Sequence, residues 1–317
     1  MRLVRVEECS PGVADGKTRF GMLNVGDDLT VLGAEIDFAA ALALLMGGEG
    51  TEHIGEKVSS DRWAERWRLL APAPSPASLR DCVGFFQHIR NTRASRGDLA
   101  PLLPVWRERP GFYFANPQSL RSATDNIAIP AGSEAFDFEL EIAAVIGTGG
   151  RDMTALEAGQ SIAGYVMFCD WSARDLQAEE RQMQIGLGKG KDSATSLGPW
   201  ILSATAADAI RVPDGLDIPV SASVNGDLVT DPRARYRGMD WTFEEIIAYA
   251  SMGADLVAGD IIAVGTVPTG CLLEQAANPD FRGWLTPGDE VRLTAGPLGE
   301  IASAITAGAP VANWRRE

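Results

Sequence analysis

The alternation of residues in FDFELEIAAVIG, residues 136–147, predicts a buried β-strand with one unusual face. Side chains along a strand repeat with a period of two, so Phe138, Leu140 and Ile142 share one face. Asp137, Glu139 and Glu141 then share the opposite face, with the two glutamates as neighbours. Burial of two neighbouring like charges is unfavourable. This strand therefore needs a physical reason for its composition.

Short strands separated by turn residues are predicted through much of the remaining chain. Asn225-Gly226 lies between two strand-like runs and predicts a hairpin. The runs GDIIAVGT, GDEVRLTA and EIASAIT predict further strands. Helices are predicted in SARDLQAEERQMQ and in TFEEIIAYASMG, the second capped by Thr242 with Glu245. Because regular βαβ alternation is absent, this mixture predicts a β-rich α+β fold with peripheral helices.

The chain is predicted to divide near a segment rich in proline and alanine. Residues 1–70 are assigned to a small amino-terminal α+β domain, with a hairpin turning at residues 26–28 and a helix in DFAAALALLMGG. Residues 71–78, APAPSPAS, are assigned to a rigid linker, and residues 79–317 to the catalytic domain. A helix through LRDCVGFFQHIRNTRAS is predicted to begin with Ser78 and Asp81 as caps.

The composition narrows the classes of partner. The chain has 317 residues, with 28 Lys and Arg against 43 Asp and Glu, a net charge of −15. This excess of acid disfavours binding to nucleic acid or to anionic membranes. We find neither an apolar run of about 18 residues nor a secretory signal. Four scattered cysteines predict free thiols, and together these features predict a cytoplasmic protein.

The scarcity of histidine limits the kind of metal site. The two histidines are His53 and His88, so a site made of several histidines is excluded. His53 lies outside every motif and is predicted at the surface. A hard divalent cation bound by oxygen ligands would stabilise Glu139 and Glu141. From the spacing alone, arginine or lysine partners or exposure to solvent are favoured over a metal.

A second apolar strand also ends in a carboxylate. GYVMFCDWSARDLQ, residues 164–177, predicts a strand that ends at Asp170 and a helix that starts at Ser172. Asp170 is interpreted either as a third metal ligand or as a helix cap. Two glycine-rich stretches fail nucleotide-binding patterns, since Asp192 follows Lys191 in GKGKD and Asp152 replaces the last glycine in GTGGRD.

Five motifs, in this order, make the chain resemble the fumarylacetoacetate hydrolase family: DFELEIAAVIG, GYVMFCDWSARDLQ, GKGKDSATSLGPW, GDIIAVGTVPTGCLLE and WLTPGDEV. The resemblance covers roughly residues 78–305. It implies a mixed β-sandwich or roll that usually forms a homodimer. It also implies a divalent metal held by carboxylates, with Mg²⁺ expected first and Ca²⁺ or Mn²⁺ as alternatives.

The resemblance also assigns roles to individual residues. It implies that Glu139, Glu141 and Asp170 bind the metal, and that Asp81 adds a fourth carboxylate directly or through water. Asp81 lies seven residues before His88. If the stretch is continuously helical, seven residues are about two turns, which would place both side chains on one face.

The remaining assignments concern catalysis and substrate binding. His88 would activate water, and Glu274 would orient His88 as a dyad. Lys191 and Gln177 would bind the developing negative charge. Three residues would contact the substrate: Thr266, Tyr113 and Arg96. Arg174 and Asp175 are predicted to pair locally on their helix.

The reaction implied by the resemblance is hydrolysis of a carbon–carbon bond in a 1,3-diketo acid, such as an acylpyruvate or a fumarylacetoacetate-like compound, as in aromatic catabolism. The alternatives are a 2-oxo acid decarboxylase or tautomerase, a 2-oxo-alkenoate hydratase or isomerase, and a binding protein without catalysis. Two positions depart from relatives. Val83 replaces a substrate-binding tyrosine, and Asn91 replaces the glutamate of a helical His-x-x-Glu pair.

Overall fold

The computed structural model describes residues 1–9, 16–47, 55–74, 76–184 and 186–313. His53 lies outside these residues. The helices of the described residues are α1 (Phe38–Gly47), α2 (Trp63–Arg66), α3 (Phe86–Ala94), α4 (Ala155–Ser161), α5 (Arg174–Met183), α6 (Ala204–Ala207) and α7 (Phe243–Ser251). None of them is both long and apolar enough to span a membrane.

The strands are more numerous and mostly short, in keeping with the predicted turn density. In chain order they are β1 (Arg2–Glu8), β2 (Thr18–Leu23), β3 (Leu29–Leu32), β4 (Gly55–Val58), β5 (Trp67–Leu70), β6 (Leu79–Cys82), β7 (Phe112–Phe114), β8 (Leu120–Arg121), β9 (Ile127–Ala128), β10 (Phe136–Asp137), β11 (Leu140–Ile146), β12 (Ile162–Asp170), β13 (Ser172–Ala173), β14 (Thr195–Leu197), β15 (Ile201–Ser203), β16 (Arg211–Val212), β17 (Gly215–Pro219), β18 (Ser221–Val224), β19 (Asp227–Leu228), β20 (Arg235–Arg237), β21 (Ile261–Ala263), β22 (Glu290–Thr294) and β23 (Glu300–Thr306).

A large mixed sheet forms the centre of the molecule. Its main path runs β4-β3-β2-β1-β15-β12-β11-β21-β6-β7, with β5, β8 and β14 attached at its sides. A second sheet has the order β19-β18-β22-β23-β9. The central strands β12 and β11 are antiparallel, whereas β21 and β6 are parallel. This architecture agrees with the predicted β-rich α+β fold.

Strand β11 is buried on both faces, which explains its nearly continuous apolar sequence. Leu140 and Ile142 belong to a core cluster that includes Leu293 of the second sheet. Ala143 and Val145 belong to a different cluster that includes the apolar side of α1. The strand therefore lies in the middle of the molecule, and a charged residue at either of its ends is held in a fixed position.

The amino-terminal strands extend this central sheet. Arg2 of β1 pairs with Leu202 of β15, so hydrogen bonding continues across the expected domain division. Within the expected linker, Ala71 and Ala73 are buried. These contacts join residues 1–70 to the rest of the molecule, and the division into two domains stays a prediction.

Several local predictions are confirmed. Asn225 and Gly226 have positive φ angles of 55° and 89° and connect β18 to β19. This geometry is typical of the tight hairpin turns that Asn-Gly forms. At the start of α7, Thr242 accepts a hydrogen bond from the Glu245 backbone at 3.3 Å, and Glu245 accepts one from the Thr242 backbone at 2.9 Å. The capping box therefore has the predicted partners.

The helix predicted to begin near Ser78 is wrong in its first part. Leu79–Cys82 forms β6, which pairs with β21 on one side and with β7 on the other. The helix α3 begins only at Phe86, whose backbone N–H donates to Asp240 at 2.8 Å. Pairing with strands distant in the sequence outweighs the local capping pattern. Asp81 therefore lies on a strand and caps no helix.

Gly265 allows the chain after β21 to pass close to β6. Its φ angle is 106°, which favours glycine. A Cβ atom at this position would lie 2.8 Å from the Gly84 nitrogen and 2.9 Å from the Cys82 oxygen. Since the Gly265 N–H also donates to Glu141 at 3.2 Å, this close approach positions a predicted site residue.

We expect Gly265→Ala to lower the free energy of unfolding by about 2–4 kcal/mol, since backbone strain and a steric clash add. Gly226→Ala is the matched control, because its φ is also positive but no atom lies near its would-be Cβ. Gly226→Ala should lower the free energy of unfolding by only about 1 kcal/mol. Chemical denaturation measures the free energy of unfolding of both variants. Equal losses of stability in the two variants would show that the close approach at Gly265 does not matter.

Candidate active site

Four carboxylates meet at one end of the central sheet. Asp81 lies in β6, Glu139 directly precedes β11, Glu141 is the second residue of β11, and Asp170 ends β12. These strands are close neighbours in the sheet, and all four side chains are buried. Carboxylate oxygens of Asp81, Glu139 and Asp170 lie within 4.8 Å of one another. The structure thus brings together the residues predicted to bind metal.

Several donors surround this carboxylate cluster. Lys191 Nζ lies 2.5 Å from Glu139 Oε2 and also contacts Asp170. The Tyr113 hydroxyl donates to Asp170 at 2.6 Å. Glu141 accepts a hydrogen bond from Thr266 Oγ1 at 2.9 Å. Both glutamates are buried, but only Glu139 has the cationic partners Lys191 and Arg174, whereas Glu141 contacts no cation among the described residues.

The helix-cap interpretation of Asp170 is wrong. The residue that precedes α5 is Ala173, and no side chain caps this helix. Ser172 and Ala173 form β13 instead, which pairs with β10, so the helix starts at Arg174 and not at Ser172. This short strand pairing, invisible in the local pattern, directs the Asp170 carboxylate to Lys191.

Burial and mutual repulsion change the acidity of the cluster. Burial, with Glu139 and Asp170 nearby, raises the pKa of Glu141 to about 8. Burial and the charges of Glu141 and Asp170 also raise the pKa of Asp81. Burial by itself raises the pKa of Glu139, but Lys191 and Arg174 outweigh it and hold that pKa well below its usual range. Ionisation of all four carboxyl groups is therefore unfavourable unless further positive charge lies beside them.

The carboxylate oxygens of this cluster are suited to bind a divalent cation. Asp170 Oδ1 is buried and has no hydrogen-bond partner among the described residues, although its other oxygen has two donors. A buried polar atom without a partner is costly. Oxygen ligands with excess negative charge are what hard divalent cations prefer. Asp81, Glu139, Glu141 and Asp170 therefore form a candidate metal centre.

Arg174 connects this centre to the neighbouring strand β10. Its Nη2 lies 2.7 Å from Asp137 and 2.8 Å from Glu139. The predicted local pair with Asp175 is wrong, since Asp175 accepts hydrogen bonds from Ser133 and Glu134 instead. The period of two along the strand placed Asp137 on the same face as Glu139 but gave it no role, and the structure shows that it binds Arg174.

His88 and Glu274 form the predicted contact beside the cluster. His88 Nδ1 lies 2.7 Å from Glu274 Oε1, and since a carboxylate only accepts, Nδ1 carries the proton. His88 Nε2 lies 3.7 Å from Glu139 Oε1. The imidazole therefore spans the space between Glu274 and the metal-centre carboxylates, with Nε2 facing the centre.

Two donors missed by the sequence analysis hold Glu274 in place. Asn91 Nδ2 donates to Glu274 Oε2, and the Thr269 backbone N–H donates to the same oxygen at 2.9 Å. Thr269 has a φ angle of 68°, which is strained for a β-branched residue. Its hydroxyl accepts from the Asp231 backbone at 2.9 Å. The strained backbone of Thr269 thus directs its N–H group toward Glu274.

A cavity of about 520 Å³ lies over these groups. This volume suits a small organic ligand. Apolar residues such as Phe85, Ile89 and Leu273 form part of its wall. The predicted site residues that line the cavity are Asp81, His88, Arg96, Tyr113, Glu139, Glu141, Gln177, Lys191 and Thr266. Glu274 and Asp170 lie behind this lining, where they contact His88 and Lys191.

The fold and the site together define a protein with four clustered carboxylates, a candidate metal centre, next to a histidine–glutamate pair. The model of the fumarylacetoacetate (FAA) hydrolase C-terminal domain matches residues 79–306. The chain belongs to the fumarylacetoacetate hydrolase family.

Curated relatives differ in the activities that their names describe. A fumarylacetoacetase from Oryza sativa subsp. japonica is 28% identical over 307 residues, which is 77% of this chain and 71% of the relative. A mitochondrial oxaloacetate tautomerase from Xenopus laevis is 32% identical over 239 residues, or 75% of this chain and 68% of the relative. Family membership therefore leaves the reaction open.

Solved structures support the same fold. A maleylpyruvate hydrolase from Sphingobium sp. SYK-6, in complex with manganese(II) ion and pyruvate, superposes with a TM-score of 0.66 at 23% identity. The match covers 98% of this chain and all of that one. The predicted fold of the family is therefore confirmed across nearly the whole chain.

We expect Mg²⁺ or Mn²⁺ to stabilise the folded protein, by about 2.7 kcal/mol at a cation concentration 100 times its dissociation constant. Glu141→Gln should abolish most of this gain, because it removes one ligand charge. The metal-free variant should be no less stable than the wild type, since burial and neighbouring carboxylates disfavour the charged form of Glu141. Thermal unfolding with cation and with chelator measures both effects. Equal stabilisation of the wild type and of Glu141→Gln by the cation would contradict the assignment of Glu141 as a metal ligand.

Proposed function

We propose that this protein is a divalent-cation-dependent hydrolase that cleaves a carbon–carbon bond in a 1,3-diketo acid such as an acylpyruvate. The observation that carries the proposal is the pairing of His88 with Glu274 at 2.7 Å, beside four buried carboxylates. A reaction that only shifts protons on a bound 2-oxo acid does not require an activated water molecule. A histidine held by a buried carboxylate is suited to that activation.

Asp81, Glu139, Glu141 and Asp170 would hold the metal, with Mg²⁺ as the expected ion. When bound, such an ion supplies Lewis-acid polarisation of the substrate oxygens. The manganese(II) ion and pyruvate bound by the Sphingobium maleylpyruvate hydrolase support a divalent ion and a 2-oxo acid product here. The unpartnered oxygen of Asp170 supports the divalent ion, though not the product, from this chain alone.

His88 acts as the general base. Its Nε2 accepts a proton from water, while Glu274 holds the proton on Nδ1 and stabilises the imidazolium that forms. The water oxygen attacks the C4 carbonyl of a 2,4-dioxo acid, and the C3–C4 bond then breaks. His88 returns the proton to C3. One molecule of water is consumed, and the products are a carboxylic acid and pyruvate.

Lys191 and Gln177 are placed to bind the oxyanion of this attack. Burial by itself lowers the pKa of Lys191, but Asp170 and Glu139 outweigh it and raise that pKa, so the ammonium stays charged. Gln177 Oε1 accepts from Arg174 at 3.1 Å, which leaves the amide NH₂ of Gln177 for the ligand. Preorganised donors of this kind stabilise developing charge because they need no reorientation. Tyr113 and Thr266 complete the substrate wall.

Oxaloacetate tautomerisation is the second candidate. The Xenopus tautomerase has the higher identity of the two named relatives, 32%. Such a reaction moves a proton between carbon and oxygen and leaves the carbon skeleton intact. It would use the metal centre and Lys191 without an attacking water. The two candidates therefore differ in their dependence on His88.

We expect His88→Ala to lower acylpyruvate cleavage by about 10²–10⁴-fold, because a general base is removed. Loss of enol absorbance with Mg²⁺ measures the rate, and the cation-induced stabilisation serves as the control because His88 is not a ligand. A decrease of this size in the cleavage rate, with unchanged stabilisation by the cation, supports the proposal. A wild type that only tautomerises oxaloacetate, together with an equally active His88→Ala variant, would favour the second candidate.

We expect Asn91→Ala to lower kcat about tenfold with little change in KM, because Glu274 loses a donor that fixes its orientation. Arg90→Ala, on the exposed side of the same helical turn, is the matched control. Steady-state kinetics with an acylpyruvate measures both variants. An unchanged kcat for Asn91→Ala would show that the Thr269 N–H and His88 hold Glu274 without help.

A further inference from the structure

We propose that His88, Cys271 and Glu274 form a second metal site, which binds Zn²⁺ on the side of the imidazole that faces away from the four carboxylates. A cation bound there takes the place of the proton on His88 Nδ1 and prevents His88 from acting as a base. This inference goes beyond the proposed function, because the site differs from the carboxylate centre in its ligands, in the ion that it selects and in its effect.

Three different kinds of ligand meet behind the wall of the cavity. One ligand atom from each of His88, Cys271 and Glu274 lies within 4.8 Å of the other two. Glu274 Oε1 lies 2.7 Å from His88 Nδ1 and 3.8 Å from Cys271 Sγ. Since nitrogen, oxygen and sulfur ligands lie about 2.0–2.3 Å from a zinc ion, atoms around one ion are roughly 3–4 Å apart. A small outward movement of the imidazole is therefore enough to admit the ion.

Cys271 differs from the other buried cysteines in its surroundings. Cys82 and Cys169 belong to the largest hydrophobic core cluster, where a free cysteine behaves as a small apolar residue. Cys271 is fully buried but belongs to none of the three core clusters of the described residues. Its sulfur contacts a carboxylate instead. Apolar packing therefore does not explain the position of this thiol, and the mechanism proposed above does not use it.

Glu274 is already oriented for a ligand on one side. Asn91 Nδ2 and the Thr269 backbone N–H both donate to Oε2. Oε1 is thereby left to face His88 Nδ1 and Cys271 Sγ. Hydrogen bonds of this kind orient metal-ligating carboxylates and increase the affinity for the ion. The strained backbone of Thr269 thus supports the same orientation that a cation would need.

The two candidate centres differ in ligand chemistry. Asp81, Glu139, Glu141 and Asp170 offer oxygen alone, which suits Mg²⁺. The second cluster offers one nitrogen, one sulfur and one oxygen, a set that Zn²⁺ binds with water in its fourth position. The softer ion is therefore expected on the Nδ1 side of His88, and the harder ion among the carboxylates.

A cation on Nδ1 changes the tautomer of His88. A neutral imidazole that binds a metal through Nδ1 carries its proton on Nε2, so Nε2 no longer accepts a proton from water. Nε2 lies 3.7 Å from Glu139 Oε1, so the relocated proton faces a carboxylate. The Cys271 thiol loses its proton to solvent as the sulfur–zinc bond forms, which releases one proton for each ion bound. Reactions that need His88 as a base are then inhibited.

Titration with Co²⁺ tests the site without any substrate. Co²⁺ bound to a thiolate shows a charge-transfer absorption, whereas Co²⁺ bound to oxygen ligands does not. We expect this absorption when Co²⁺ is added to the wild type at saturating Mg²⁺, and we expect Zn²⁺ to remove it by competition. Cys271→Ser should abolish the absorption and weaken Zn²⁺ binding by at least about 100-fold, since loss of a partner that merely orients a ligand already costs about 10–100-fold.

Cys82→Ser is the matched control, because Cys82 is also a buried free cysteine and it lines the cavity. Cys82→Ser should change neither the absorption nor the Zn²⁺ affinity. Stabilisation by Mg²⁺ shows whether Cys271→Ser is folded, and His88→Ala, which removes another ligand, should also weaken Zn²⁺ binding. A wild type without the thiolate absorption would overturn the proposal. So would equal Zn²⁺ affinities of the wild type and Cys271→Ser, or a loss confined to Cys82→Ser.

Inhibition tests the effect of the ion separately from its binding. If the wild type cleaves an acylpyruvate, Zn²⁺ should inhibit the cleavage at saturating Mg²⁺, and further Mg²⁺ should not restore the rate. Cys271→Ser should require at least about 100-fold more Zn²⁺ for the same inhibition. Inhibition that is equal in both proteins and relieved by Mg²⁺ would overturn the proposal, because Zn²⁺ would then act at the carboxylate centre. If the wild type cleaves no acylpyruvate, the hydrolase proposal fails, and the Co²⁺ titration still decides whether the site exists.

Discussion

The burial of four carboxylates at one end of the central sheet is the constraint on which the site depends. Asp81, Glu139, Glu141 and Asp170 are brought together by strands that are hydrogen-bonded in one sheet, so they cannot separate to relieve repulsion. Lys191 balances part of this charge. Burial and repulsion disfavour ionisation of the remaining carboxyl groups, which is the physical reason why this cluster suits a divalent cation.

Glu139 connects the metal centre to the rest of the active site. It contacts Lys191 and Arg174, and its Oε1 lies 3.7 Å from His88 Nε2. Arg174 in turn is held by Asp137, whose oxygens accept backbone hydrogen bonds from residues 272 and 273, just before Glu274. The metal centre and the histidine–glutamate pair therefore form one electrostatic unit, and a change in either is felt by the other.

The central sheet holds the four carboxylates, whereas the two helices α3 and α5 carry side chains that surround the cavity. His88 and Gln177 line the cavity, and Asn91 donates to Glu274. Relatives named as a hydrolase and as a tautomerase share this family. The choice of reaction and substrate is thus expected to depend on side chains of these helices more than on the sheet.

The sequence by itself determined what depends on local periodicity. The period of two along residues 136–147 placed Glu139 and Glu141 on one face, and the Asn-Gly turn and the Thr242 capping box were found from neighbouring residues. Five motifs, each a short run of neighbouring residues, predicted the family. These features are local because each is made by residues only a few positions apart.

Only the tertiary structure decided the partners that are distant in the sequence. Asp81 lies on a strand because β6 pairs with β21, about 180 residues away, and Arg174 contacts Asp137 instead of its neighbour Asp175. The supports of Glu274 from Asn91 and from the strained Thr269 likewise join separate segments. Such contacts depend on which strands become neighbours, and a local pattern carries no information about that.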